Sequence, residues 1–219
     1  GLFICQKAAS MTLRTEDNKS ERAVAEFLDE NFYPNAVENM QRIGDAEMQI
    51  KGVDVLLDLE DVKEVSVDEK AAAHFVNKNI PTFAFELDFI GRDGLLKQGW
   101  LADKEKLTQY YLLSWVWAKK DRGFAASDIT KLEVVLIERE KILKLLEEHS
   151  VDAGRLMRIA KHLREMGLFG AHFKKRGRPF YFNLTEHLTE QPINVIIHKR
   201  SLIELAKIHQ FVRPNGNTD

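Results

Sequence analysis

Asp68 follows Asp54 by fourteen positions and opens the tripeptide Asp68-Glu69-Lys70. In an extended chain side chains at i and i+2 share a face, so Asp68 and Lys70 project together while Glu69 points the other way. Both acids lie in segments of strand character, Gln49–Leu57 and Glu64–Lys70, joined by the acidic spacer Asp58–Asp61, and the pair reads as a β-hairpin. Such a hairpin brings Asp54 beside Asp68 and Lys70. Two hard-oxygen anions so placed repel unless a cation lies between them, and the cation they suit is Mg²⁺ or Mn²⁺. A lysine beside that ion can orient or help deprotonate a water, or stabilise charge building on a phosphate. These parts serve metal-assisted hydrolysis of a phosphodiester. The competing reading is a solvated strand end with an ordinary ion pair, worth less than about 1 kcal/mol. Asp-x-Lys recurs at Asp17–Lys19 and Asp61–Lys63, but only Asp68–Lys70 ends a β-branched strand that an Asp-bearing strand precedes.

The elements that must hold these residues alternate along the chain. Ser20 is placed to cap a helix over Glu21–Asn31, whose Val24, Phe27 and Leu28 share a face, and Pro34 closes it. Pro81–Phe89 alternates as a third strand, with Glu86 and Asp88 on its polar face, and a buried helix is expected over Asp103–Lys119. Leu132–Ile137 reads as strand, Glu138–His149 as helix, and Asp152 as the cap of a helix running to about Met166. Phe180–Asn183 and Ile193–His198 read as strands, and Ser201–His209 as a last helix. Strands interleaved with helices imply an α/β or α+β fold, a mixed central β-sheet flanked by helices.

Composition narrows the class. The 219 residues carry 32 Lys plus Arg against 34 Asp plus Glu, a net charge of −2, which disfavours a tail-driven nucleic-acid binder and requires any anionic partner to be met by a local patch. The single Cys5 excludes an internal disulfide and a zinc site built on several thiolates, and points to a cytoplasmic setting. No apolar run reaches the roughly 18 residues of a membrane span. The opening Gly-Leu-Phe-Ile-Cys is too short for a signal-peptide core, and residues 1–10, ahead of Met11, read as cloning or processing residue.

A helix with an early Glu, a strand with Lys51-Gly52-Val53-Asp54, a hairpin, a strand with Val67-Asp68-Glu69-Lys70, then a further strand and a helix together resemble the PD-(D/E)XK nuclease superfamily over residues 20–120. The resemblance implies a restriction endonuclease-like core and a Mg²⁺-dependent hydrolase. Asp54 matches the first acid, Asp68 the second, and Lys70 the lysine. Glu69 takes the variable place whose backbone carbonyl often binds metal, and Glu21 matches the helix Glu that some members use as a further ligand. Gly52-Val53 stands where the name motif has Pro, and Gln109 with Leu113 does not meet the Gln-x-x-x-Tyr pattern of some branches. Residues 1–19 are then an extension, 20–120 the catalytic core, and 121–219 its continuation.

The stretch Phe169–Phe182 interleaves Lys174, Lys175, Arg176 and Arg178 with aromatics, Gly and Pro. It reads either as a loop that neutralises phosphates of nucleic acid, DNA foremost, or as a solvated turn. A rival function is a non-catalytic DNA-binding module, with a helix-turn-helix and wing over 138–183 whose recognition helix carries Arg155, Arg158, Lys161 and Arg164. A degenerate nuclease fold with a structural role is a third. Cutting both strands of a duplex needs two sites, which a homodimer would supply.

Overall fold

Ala23, Val24, Phe27 and Leu28 recur at the spacing of one helical face, and all four are buried in α1 (residues 19–31). Ser20 lies inside that helix and is itself buried, so it is not the cap. The computed structural model describes residues 19–216; Cys5, Met11 and the expected extension through residue 18 lie outside the described residues. A helical turn, α2 (Tyr33–Ala36), leads into β1 (Asn39–Arg42). The strand expected over Gln49–Leu57 divides. Asp45 caps α3 (Ala46–Ile50), its carboxylate accepting from the Met48 N–H at 2.8 Å, and only Val55–Asp58 forms β2. Gly52 makes the turn between them with φ +78°, and a Cβ there would sit 2.3 Å from Thr108 Oγ1.

β2 pairs antiparallel with β3 (Val65–Ala71), Val55 opposite Val67, as the hairpin spacing implies. Val55, Leu57, Val65 and Val67 are at most 1% exposed, and burying that shared apolar face sets the register. Further along the chain come β4 (Thr82–Ile90), β5 (Leu96–Gln98), β6 (Tyr110–Ala118) and β7 (Ile129–Glu138). Two helices follow, α4 (Arg139–Glu148) and α5 (Ala153–Glu165), then β8 (Gly170–His172), β9 (Phe180–Leu184) and β10 (Ile193–His198). The last helix and strand among the described residues are α6 (Lys199–Leu205) and β11 (Ile208–Val212), and a short 3-10 turn over Pro214–Gly216 follows them. The fold is a mixed α+β one.

The strands form two sheets instead of one. The first has the order β1-β2-β3-β6-β7-β11 and is mixed, since β3 and β6 run parallel while the others pair antiparallel. The second, β5-β4-β10-β9-β8, is antiparallel throughout. The helix expected over Asp103–Lys119 is instead β6, the strand at the centre of the first sheet. Its Tyr110, Leu112 and Val116 enter the core beneath α1, while Tyr111, Leu113 and Trp115 enter the core shared with the second sheet. A strand buried on both faces is apolar in every direction, as a buried helix is, so its composition misleads. The helix expected over Ser201–His209 likewise stops at Leu205, and Ile208–Val212 extends the first sheet beside β7. Asp152 does cap α5, accepting from the Arg155 N–H at 2.7 Å.

α5 is not a free recognition helix. Leu156, Ala160 and Leu163 are buried in the core between the sheets, and Arg164 turns inward to pair with Asp88; only Arg155, Arg158 and Lys161 face out. Among the described residues no helix is long and apolar enough to cross a membrane.

Candidate acid and lysine site

Asp54 stands one residue ahead of β2. Its N–H donates to the Val67 carbonyl at 2.9 Å, and its Oδ2 accepts from the Glu69 N–H at 2.8 Å. The neighbouring strand β3 supplies Asp68, 3% exposed, and two residues on Lys70, whose Nζ donates to Asp68 Oδ1 at 2.6 Å. Across the parallel ladder Asp68 and Lys70 lie opposite Tyr111 and Leu113, both turned toward the second sheet, and Lys70 Nζ is 5.4 Å from the Trp100 ring centroid. Asp54, Asp68 and Lys70 therefore converge.

The electrostatics follow from that crowding. Burial and then the adjacent Asp68 carboxylate push the Asp54 pKa up to about 6, against the Glu69 N–H and Lys70, which lower it. Burial would lower the Lys70 ammonium, but Asp68, Asp54 and Glu21 outweigh it and hold the pKa above its ordinary value. Lys70 is thus a fixed cation, not a base, at neutral pH. Glu21 lies in α1 and lines the same cavity of about 530 Å³ as Asp54, Lys70 and Gln49. The Gln49 side-chain amide donates to the Ile43 carbonyl at 2.8 Å, so part of its role is to hold the cavity wall.

Glu69 and Arg42 line the same cavity, and the Glu69 backbone N–H is the group that reaches Asp54. The Glu69 carboxylate accepts from Tyr33 Oη at 2.5 Å and from Arg42 Nη1 and Nη2 at 2.9 and 3.0 Å. Arg42 also clasps Asp29, Nε to Oδ2 at 2.7 Å. This clamp, on the face opposite Asp68, fixes the phase of β3. Sequence reasoning missed Tyr33, Arg42 and Asp29, which carry no local signal.

Glu86 and Asp88 do not share a face. A bulge in the β4–β10 pairing, where Ile193 meets Asp88 and Asn194 meets Glu86, reverses the alternation at Leu87. Asp88 becomes 2% exposed and ion-paired with Arg164, whereas Glu86 stays near Lys70. Burial pushes the Glu86 pKa up to about 7, with Lys70 acting in the opposite direction. Ser114 is a further lining residue that was not singled out. Its hydroxyl is buried without a hydrogen-bond partner among the described residues, and its one sequence signal is that it interrupts the apolar run of β6.

Among the described residues no group of three or more His, Cys, Asp and Glu side chains is arranged to hold a metal ion. The donors at hand are two hard carboxylates, which suits Mg²⁺, an ion held through one or two carboxylates with water completing its shell. Burial is the larger cause of the raised Asp54 pKa and the Asp68 carboxylate the next, and a divalent cation would relieve that second part. Lys174, Lys175, Arg176 and Arg178 line a second cavity that shares no lining residue with the first.

The raised pKa has a sign. An acid that titrates near 6 when folded and near 4 when unfolded costs native stability as pH rises through that window, by about 2–3 kcal/mol here. Asp54→Asn is therefore expected to match wild type near pH 4 and exceed its stability above pH 6. Thermal melts from pH 4 to pH 8 measure this, and parallel curves for the two proteins would contradict it. No family model matches this chain, and no curated protein or solved structure matches it either.

Proposed function

We propose that the chain is a metal-dependent nuclease of the PD-(D/E)XK, restriction endonuclease-like kind, acting on nucleic acid, DNA foremost, in the cytoplasm. The observation that carries the reading is the closeness of Asp54, just ahead of β2, to Asp68 on β3, with Lys70 Nζ 2.6 Å from Asp68; Asp54 and Lys70 line an open cavity, and Asp68 is buried behind them. The single cysteine of the sequence supports the setting.

Asp54 and Asp68 would hold Mg²⁺ or Mn²⁺, with Glu21 across the cavity as a further ligand on the strength of the resemblance. Such an ion supplies a water of lowered pKa and a positive charge for the phosphate oxygens. The rest falls to the chain. Lys70, kept protonated by its acidic neighbours, can donate to a non-bridging phosphate oxygen and stabilise the charge that builds there. The Glu69 N–H holds Asp54, and the Tyr33–Glu69–Arg42 clamp keeps β3 from slipping, so the acids stay aligned before substrate arrives.

The test is incubation with supercoiled plasmid, linear duplex, single-stranded DNA and single-stranded RNA in Mg²⁺, Mn²⁺ or EDTA. Cleavage of at least one substrate is expected with metal and none with EDTA. The rate should rise with pH up to about 6, because Asp54 must lose its proton before it can ligate. Every substrate surviving both metals would refute an active site.

A further inference from the structure

The basic loop builds a cavity of its own. Lys174, Lys175, Arg176 and Arg178 all line a space of about 390 Å³ whose floor is the end of the second sheet. Tyr181, Thr82 and His198 contribute there, with His198 opposite Thr82 in the β10–β4 ladder. No lining residue is acidic, and none of the four cations makes an ion pair among the described residues. Elsewhere Lys51 is matched by Glu47, Lys97 by Asp93 and Lys120 by Asp128, while Lys78, Lys104 and Lys144 stand singly; only the loop gathers four such cations around one space. Four cations crowded together repel one another unless an anion sits among them.

The loop is also preshaped. Arg178 N–H donates to the Lys175 carbonyl at 3.0 Å, closing a turn in which Gly177 has φ +80°. Phe173, an aromatic in the left-handed region at φ +59°, is pinned by an edge contact with Phe182 at 6.1 Å. The exit is tied by the His198 N–H, which donates to the Pro179 carbonyl at 2.9 Å. Lys174 Nζ rests 4.5 Å from the Tyr181 ring centroid, and the Arg178 guanidinium lies 5.3 Å from that of Phe180. A solvated turn would need neither the strained Phe173 nor cationic heads parked on ring faces.

From this geometry we propose that the cavity binds a clustered phosphate group, a phosphomonoester or polyphosphate, presented by the end of a nucleic-acid strand or by a free nucleotide. A run of backbone diesters spreads single charges along a path and is met by a stripe of cations. Here the cations converge on one space, which suits a group carrying several charges at one point and offers it Arg forks. The cavity volume is that of a small-molecule site.

The proposal does not depend on the nuclease reading, and the experiment keeps the two apart. Binding is measured in EDTA on Asp68→Asn protein, using inorganic pyrophosphate, ATP, and one short oligonucleotide with 5′-phosphate, 3′-phosphate or hydroxyl ends. The same series is run on Arg176→Gln/Arg178→Gln and on Lys174→Gln/Lys175→Gln, with thermal melts to show that both remain folded. Pyrophosphate is expected to bind, and to weaken by at least about tenfold in either double variant at unchanged melting temperature. Tighter binding of a phosphate-ended than a hydroxyl-ended oligonucleotide would name the strand end as the source; ATP outcompeting both would name a free nucleotide. Failure of pyrophosphate and ATP to bind, with equal affinity for all three oligonucleotides, would overturn the proposal whatever the cleavage assay returns.

Discussion

Asp68→Asn is expected to lower metal-dependent cleavage by about 10³-fold or more while leaving the protein folded. Asp68 is the residue on which the site turns: it raises the pKa of Asp54, accepts from Lys70 at 2.6 Å, and is the better buried of the two candidate ligands. Asparagine keeps its shape but removes the charge, so the proposed cation would lose one of its anionic donors. Lys70 retains Asp54 and Glu21 as electrostatic partners and Asp54 is relieved of a repulsion, so the melting temperature should change little. The relief also has a signature of its own, since any residual activity should set in at lower pH than in wild type. Initial rates at saturating Mg²⁺ across pH 5–8, together with melting curves, measure both effects. Cleavage within about tenfold of wild type, a difference of only about 1.4 kcal/mol, would remove Asp68 from the proposed mechanism.

The second large effect concerns stability and lies away from the site. Lys199 is 8% exposed and Glu133 4% exposed, and Lys199 Nζ donates to Glu133 Oε2 at 2.6 Å. The other Glu133 oxygen meets His209 Nε2 at 3.0 Å, so one carboxylate ties α6 and β11 to β7. Removing it strands a buried ammonium whose remaining partners are Asn79 Oδ1 at 2.8 Å and the Trp115 ring at 4.4 Å from its centroid. Glu133→Ala is expected to cost about 3–5 kcal/mol, roughly 6–20 °C in melting temperature for a chain of this size. Replacing both partners by methionine should recover most of that loss, because it removes the uncompensated charge with the pair. A single variant no less stable than the double would show that the pair, not the stranded charge, sets the cost.

Much of the site was legible because its residues are close in sequence and the hairpin is local. The β-branched alternation of Glu64–Lys70, the i, i+2 phase of Asp68 and Lys70, and the spacing to Asp54 need no distant contact to be read. Asp152 announced the start of α5 in the same way, since a cap acts on N–H groups only a few residues along.

Distant packing decided the rest. Tyr110–Ala118 has no period to separate a buried helix from a central strand, and only the placing of one core beneath α1 and another beneath the second sheet makes it a strand. Glu69 could have faced a metal or solvent until Tyr33 and Arg42 claimed its carboxylate. Asp88 and Glu86 parted because a bulge against β10, about a hundred residues away, reversed the alternation. The four cations of Lys174–Arg178 were plain in the sequence, but not the cavity they enclose with Thr82, Tyr181 and His198. Local patterning records which face of a strand is apolar and where a helix begins, because those depend on neighbours along the chain. It does not record which buried group meets which, because that pairing is settled when separate segments compete to cover the same surface.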